Sequence, residues 1–158
     1  MRKIFLFASI IAITILTGAC KSQKATGANK QNKSMATENR VNSPVEKYWK
    51  LVELQGKPIS EMTYAKEPHF ILKKEDNRVT GNAGCNALSG EYELDEAAHR
   101  IRFSKIITTR MFCFDDTVER EFLRILEMVD NYSLNGDMLT LNRARMAPLA
   151  RLEAVYLK

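Results

Sequence analysis

Tyr132-Ser133-Leu134-Asn135-Gly136-Asp137-Met138-Leu139-Thr140-Leu141 is the stretch on which the fold turns. Asn-Gly supplies the positive φ of a tight hairpin turn, and the alternation on either side supplies the strands, so the segment reads as an antiparallel pair. Downstream, Leu149, Leu152 and Val155 to Leu157 make a last strand, and Arg143 to Pro148 form the connection. Upstream the period changes. Val118, Phe122, Ile125, Leu126 and Val129 recur at the four-then-three spacing of a helix face, with Glu119, Arg120, Arg124 and Glu127 occupying the rest. Asp115 or Asp116 is placed to accept hydrogen bonds from the first-turn amides, Glu119 and Glu121 suit the helix dipole, and Asp130-Asn131 ends the helix.

The first half of the body is strand after strand. Tyr48 to Leu54 begins with the one tryptophan, Trp49, and turns at Gln55-Gly56-Lys57-Pro58. Pro68 to Lys73 is joined to Arg78-Val79-Thr80 by the polar turn Lys74-Glu75-Asp76-Asn77, a hairpin. Leu88 to Leu94 and Arg100 to Phe103 follow. Seven or eight strands and one amphipathic helix predict an α+β domain built as a strongly curved antiparallel sheet or small open barrel, the helix covering one end or face.

The amino terminus has a different character. Arg2 and Lys3 precede an apolar run from Ile4 to Leu16, which closes in Thr17-Gly18-Ala19-Cys20. The run is shorter than the ~20 residues a spanning helix needs and ends in small residues, which argues against a retained transmembrane anchor. The pattern resembles a bacterial lipoprotein signal with Thr17 where a larger aliphatic residue is usual. Residues 1–19 are therefore expected to be removed and Cys20 lipidated, each buried acyl CH₂ contributing ~0.8 kcal/mol to attachment. Residues 20–45 are dominated by Lys, Asn, Ser, Thr, Ala and Gln and read as a flexible basic tether, leaving residues 46–158 as the folded domain.

That partition changes the meaning of the charge. The whole chain carries a formal +5, but residues 46–158 hold 17 basic and 18 acidic side chains, a net of −1. A nucleic-acid surface needs Lys and Arg concentrated on the domain, so nucleic acid is excluded as a partner.

Two segments carry the most specific pattern: Gly81-Asn82-Ala83-Gly84-Cys85-Asn86 and Thr108-Thr109-Arg110-Met111-Phe112-Cys113. Gly81 and Gly84 permit backbone angles closed to other residues, and Asn82 and Asn86 can bond back to their own chain, so Gly81, Gly84 and Asn86 read as a structural turn. The turn lacks the lysine and following helix of a phosphate loop. Together with Trp49-Lys50-Leu51, Leu88 to Tyr92, Glu121-Phe122 and Tyr132 to Leu141, these segments resemble the META domain family, the HslJ-like bacterial lipoproteins, from about Tyr48 to Val155. The resemblance implies a compact α+β domain, commonly exported. It departs at Phe112, where a small residue, usually alanine, is typical.

With Cys20 lipidated, Cys85 and Cys113 are the remaining cysteines, 28 residues apart. In an oxidising compartment such a pair reads as a structural disulfide, closing a loop whose constraint stabilises by roughly 3.5 kcal/mol; a reduced, buried pair is the rival arrangement. Cys85, Met111 and Cys113 offer soft sulfur ligands, with His99 or His69 to complete a shell, but neither histidine sits in a ligand-spaced motif. No metal or cofactor is expected. His69, His99 and the carboxylate pairs Asp115-Asp116, Glu75-Asp76 and Glu119-Glu121 read as solvated, turn or helix-end residues, and no serine has a nucleophile-elbow context, so no catalytic residues are assigned. The expectation is a monomeric, non-enzymatic lipoprotein of the cell envelope, held by Cys20 in the outer membrane and facing the periplasm, supporting envelope integrity or stress tolerance. The alternative is a binding or inhibitor module for another envelope protein or a small apolar ligand.

Overall fold

The computed structural model describes residues 43–145 and 147–156. The signal segment, Cys20 and the chain as far as residue 42 lie outside the described residues, as does Leu157 at the end of the last expected strand.

Among the described residues nine strands and one α-helix make up the body: β1 (Tyr48–Leu54), β2 (Lys57–Pro58), β3 (His69–Lys73), β4 (Arg78–Asn82), β5 (Ala87–Asp95), β6 (Arg100–Thr108), α1 (Thr117–Met128), β7 (Asn131–Asn135), β8 (Met138–Asn142) and β9 (Ala150–Val155). A single 3₁₀ turn, Ile59–Glu61, follows β2. The strands form one antiparallel sheet in which each neighbours the next along the chain from β3 to β9, and β9 returns to pair with β1 from Tyr48↔Val155 to Leu54↔Ala150. The expected curved sheet is therefore a ring. The extra strand beyond the seven or eight expected is β2, two residues pairing with Glu53 and Leu54 where the pairing of β3 with β1 has stopped.

The ring is weakest between β6 and β7, which share one Cα pairing, Arg100↔Asn131. Helix α1 packs against β6 beside this gap. Its buried residues Val118, Phe122, Ile125 and Leu126 are the predicted stripe, and Phe122 stacks on Phe70 with ring centroids 6.3 Å apart. Trp49, Leu51, Phe70, Leu72, Val79, Ile101, Leu139, Leu141 and Leu152 complete a core in which each is essentially inaccessible to water. The inward residues alternate along β3, β5, β8 and β9 and through the first half of β6, which is why a period of two in the sequence was sufficient to orient them, while β1 breaks step at its irregularity between Leu51 and Glu53.

Local details differ from expectation in instructive ways. In the β7–β8 hairpin, Asn135 pairs with Met138 and Gly136 alone has positive φ, +59°, so the two turn residues are Gly136-Asp137, one later than the Asn135-Gly136 reading. On β6 the strand continues past Phe103 to Thr108 through an irregularity opposite Gly90, where Lys105 takes φ +51°. A β-carbon on Gly90 would stand 2.9 Å from the Ser104 carbonyl oxygen, backbone of the bulged strand, as well as 2.5 Å from Ile106 Cδ1. Glycine is what lets the bulged strand approach. Ser43 to Val45, assigned above to the tether, lie on the body. Pro44 is buried and its carbonyl accepts from Trp49 Nε1 at 2.7 Å, while Ser43 Oγ donates to Glu96 at 2.5 Å.

Candidate functional site

The turn 83–86 and the segment 109–116 meet at the end of the ring where β4 stops, β5 begins and β6 finishes. Gly84 sits at φ +125°, an angle that calls for glycine, and a prospective β-carbon would stand a close 3.2 Å from Val118 Cγ1. Gly81 is a correction. It lies within β4 and not in the turn, has no positive φ, and is required because a β-carbon would stand 2.1 Å from the His69 carbonyl oxygen on the neighbouring strand. Asn82 does bond back locally, its Oδ1 accepting from Gly84 N at 2.9 Å and its Nδ2 donating to Cys85 O at 3.3 Å.

Asn86 reaches instead to distant chain. Its Oδ1 accepts from Met111 N and from Thr109 Oγ1, both at 2.8 Å, and its Nδ2 lies 3.4 Å from Met111 O. On the other side, Asn86 N and Nδ2 donate to Glu119 Oε2 and Oε1 at 2.7 and 3.0 Å. The sequence placed Glu119 as a helix-start carboxylate suited to the dipole. It is buried, at 9 % exposure, because one carboxylate takes two donors of the same asparagine and so balances its own desolvation. Among the described residues no buried side-chain nitrogen or oxygen lacks a partner.

Cys85 and Cys113 stand beside this pair, joined by a disulfide with Cα atoms 6.3 Å apart. Their sulfurs and a Glu119 oxygen lie within 4.8 Å of one another, the one cluster of this kind among the described residues. As a disulfide the sulfurs are not thiolate ligands, and Glu119 is already bonded to Asn86, so the donor set does not suit a metal in this state. Met111 faces outward at 48 % exposure and the histidines are elsewhere: His69 stacks on Tyr48 at 4.3 Å, and His99 meets the Tyr132 ring edge-on at 5.7 Å. His69 is thus half-buried by an aromatic neighbour and not simply solvated.

The loop carried by this framework is apolar. Phe112 and Phe114, on either side of the bridged Cys113, are 94 % and 99 % exposed, with Met111 and Ile107 close by in sequence and also exposed. Behind them Asp115 Oδ1 accepts from Thr117 N at 2.9 Å, which holds its carboxyl below the usual range, and Asp116 pairs with Arg120 at 2.8 Å. Of the two candidate helix-starting aspartates, Asp115 is the one that bonds a first-turn amide. The exposed phenylalanines were missed as a site because a Met-Phe-Cys-Phe run ordinarily signals core; their position after a strand, directly before the helix start, was the available hint.

A second concavity lies at the opposite end. An open groove of about 1120 Å³ is lined by Val45, Glu46, Tyr92, Leu94, Glu96 and Tyr156 among others. Burial holds the Tyr92 hydroxyl above its ordinary pKa, and it donates to Lys73 O at 3.1 Å. The lining mixes carboxylates with lysines and aromatic rings.

The META domain family model matches residues 41–156. The chain belongs to the META domain family. A protein solved by NMR is similar at 19 % identity and TM-score 0.54, over 73 % of this chain and 92 % of that one. A second NMR structure, of a protein from Burkholderia xenovorans, is similar at 15 % identity and TM-score 0.54, covering 88 % and 99 %. A crystal structure of a DUF4847 family protein from Bacteroides vulgatus ATCC 8482 has 12 % identity and TM-score 0.50, covering 74 % and 96 %. At these identities the likeness is one of fold. No curated protein matches the chain.

Proposed function

We propose that this META domain is the folded body of a non-enzymatic envelope lipoprotein that supports envelope integrity or stress tolerance through contact and not through chemistry. Residues 1–19 serve as the signal, Cys20 carries the lipid, and the domain faces the periplasm from the outer membrane as a monomer. The observation that carries the reading is the site itself. Its one buried carboxylate, Glu119, is committed to Asn86, and what the framework offers to solvent is two phenylalanine side chains. A disulfide across 28 residues suits a small domain that must stay folded outside the cytoplasm.

The alternative, a binding or inhibitor module, is favoured by the same loop. Phenylalanine side chains present roughly 150–250 Å² each, so Phe112 and Phe114 alone approach the size at which an exposed apolar patch marks an interaction surface. The deciding experiment is genetic. A deletion strain is challenged with heat, detergent and oxidant while permeability to an apolar dye is read, and then complemented with the native chain or with Cys20→Ala. Increased permeability restored by the native chain and not by Cys20→Ala is expected. Unchanged growth and permeability under every challenge removes the envelope role. A partner enriched from intact envelopes while permeability stays normal shifts the reading to the binding module.

A further inference from the structure

The geometry points to the loop Met111–Phe114 as a second attachment to a lipid bilayer, with Phe112 and Phe114 entering the headgroup and acyl boundary and Arg110 beside anionic headgroups. This deepens the envelope reading and rests on its anchoring clause.

Exposure of two phenylalanines costs solvation, and a free loop would fold them back onto the domain. This loop cannot. Cys113 is bridged to Cys85 between them, and Met111 is bonded to Asn86 through its N–H at 2.8 Å and its carbonyl at 3.4 Å. The backbone is thereby ordered before any contact forms, so little further entropy is lost when the rings are buried.

Area and charge choose the occupant. In a dimer formed by this loop alone, the four phenylalanines would supply roughly 800 Å² in all, short of the ~1,200 Å² at which stable interfaces begin. A bilayer needs no matching shape. Arg110 and Lys66 make no ion pair among the described residues, and the Lys66 N–H bonds Gly84 O at 2.9 Å beside the same turn. Of the adjacent carboxylates Asp116 is paired with Arg120, while Asp115, which accepts from Thr117 N, keeps its negative charge against the two cations. Cations next to an apolar tip suit anionic headgroups.

Chain length permits the geometry. The loop lies at the opposite end of β5 from Ser43, and nine residues of strand span ~30 Å. Between Cys20 and Ser43 stand 22 residues, which reach at most about 75 Å when extended. An anchored chain can therefore turn its far end to the membrane that holds it.

The test places a fluorophore at the tip. Full chains carrying Phe114→Trp or Phe112→Trp are reconstituted into vesicles of phosphatidylethanolamine and phosphatidylglycerol, with and without brominated acyl chains, and compared with Glu75→Trp on the turn at the far end; Trp49 is fully buried and common to all. Blue-shifted emission and several-fold stronger bromine quenching at positions 112 and 114 than at 75 are expected. Equal quenching at the three positions overturns the proposal. A blue shift that grows with protein concentration in the absence of lipid overturns it in favour of a second copy. Intact mass of the same chains, read in parallel, separates the two claims: acylated chains without tip quenching sink this inference alone, and unacylated chains with tip quenching sink the anchoring clause alone.

Discussion

The two ends of the ring are built on opposite principles. Where the chain enters, Trp49 Nε1 donates to Pro44 O, Ser43 meets Glu96, Glu46 accepts from Lys74 N at 2.7 Å and Tyr156 donates to Asp137 at 2.5 Å. Those contacts are individually modest, and most are open to water. At the other end a covalent bridge and one buried carboxylate–amide pair hold a loop whose outward groups are apolar. The difference teaches that exposure has to be enforced. Polar turns stay at a surface because water solvates them, whereas phenylalanines stay there only if something stronger than their own burial prevents retreat.

The largest break in that contrast comes from removing the bridge. Cys85→Ser with Cys113→Ser is expected to lower stability by about 3.5 kcal/mol in chemical denaturation, and reductant should act on the native chain in the same direction. If reductant leaves the midpoint unmoved, the end is not covalently braced. Next comes Glu119→Ala, which removes the acceptor of Asn86 N–H and the nearest acceptor of its Nδ2 in a buried setting; a loss of about 2–3 kcal/mol is expected, with Glu119→Gln retaining part of the stability. At the opposite end Trp49→Phe deletes the bond to Pro44 O, for which about 1–2 kcal/mol is expected. Should Trp49→Phe prove more damaging than Glu119→Ala, the ranking of the two ends is reversed.

Acid probes both ends together and weakly. Glu46 has its pKa lowered chiefly by the Lys74 amide and Asp115 chiefly by the Thr117 amide. A carboxyl lowered on folding stabilises fully above its unfolded pKa, near 4, and loses that contribution as pH falls through the lower folded value. The thermal midpoint should therefore be flat above about pH 5 and decline in stronger acid, shallowly because both groups are exposed. The smallest effect on folding is expected from Phe112→Ser with Phe114→Ser, within about 0.5 kcal/mol of the native chain, since neither ring touches the core. A large loss would mean that the rings pack in solution and are not presented.

Much of this fold was legible because its elements obey local rules. The helix stripe Val118, Phe122, Ile125 and Leu126 is buried as its spacing implied, and the 132–141 hairpin forms where the alternation placed it. The turn within it moved by one residue, since the pairing of Asn135 with Met138 decides which residue must carry positive φ, and that is a property of the two strands together. Gly81 was readable as special but not for the right reason. Its angle is ordinary, and what forbids a side chain is the His69 carbonyl, which arrives from another strand. Glu119 was invisible as a site residue, because a glutamate near a helix start is accounted for by the helix dipole unless an asparagine 33 residues earlier is known to face it.

Alternation of apolar residues and the helical stripe determined by themselves that the chain makes an antiparallel, curved α+β body, because each of these signals acts between residues close in sequence. Tertiary structure alone decided that β9 closes on β1, that Asn86 and Glu119 form one buried unit, and that Phe112 and Phe114 face outward. The physical reason is that burial belongs to the whole chain. A phenylalanine has the same hydrophobicity in core and on loop, and only the arrangement of distant segments beneath it settles which side is water.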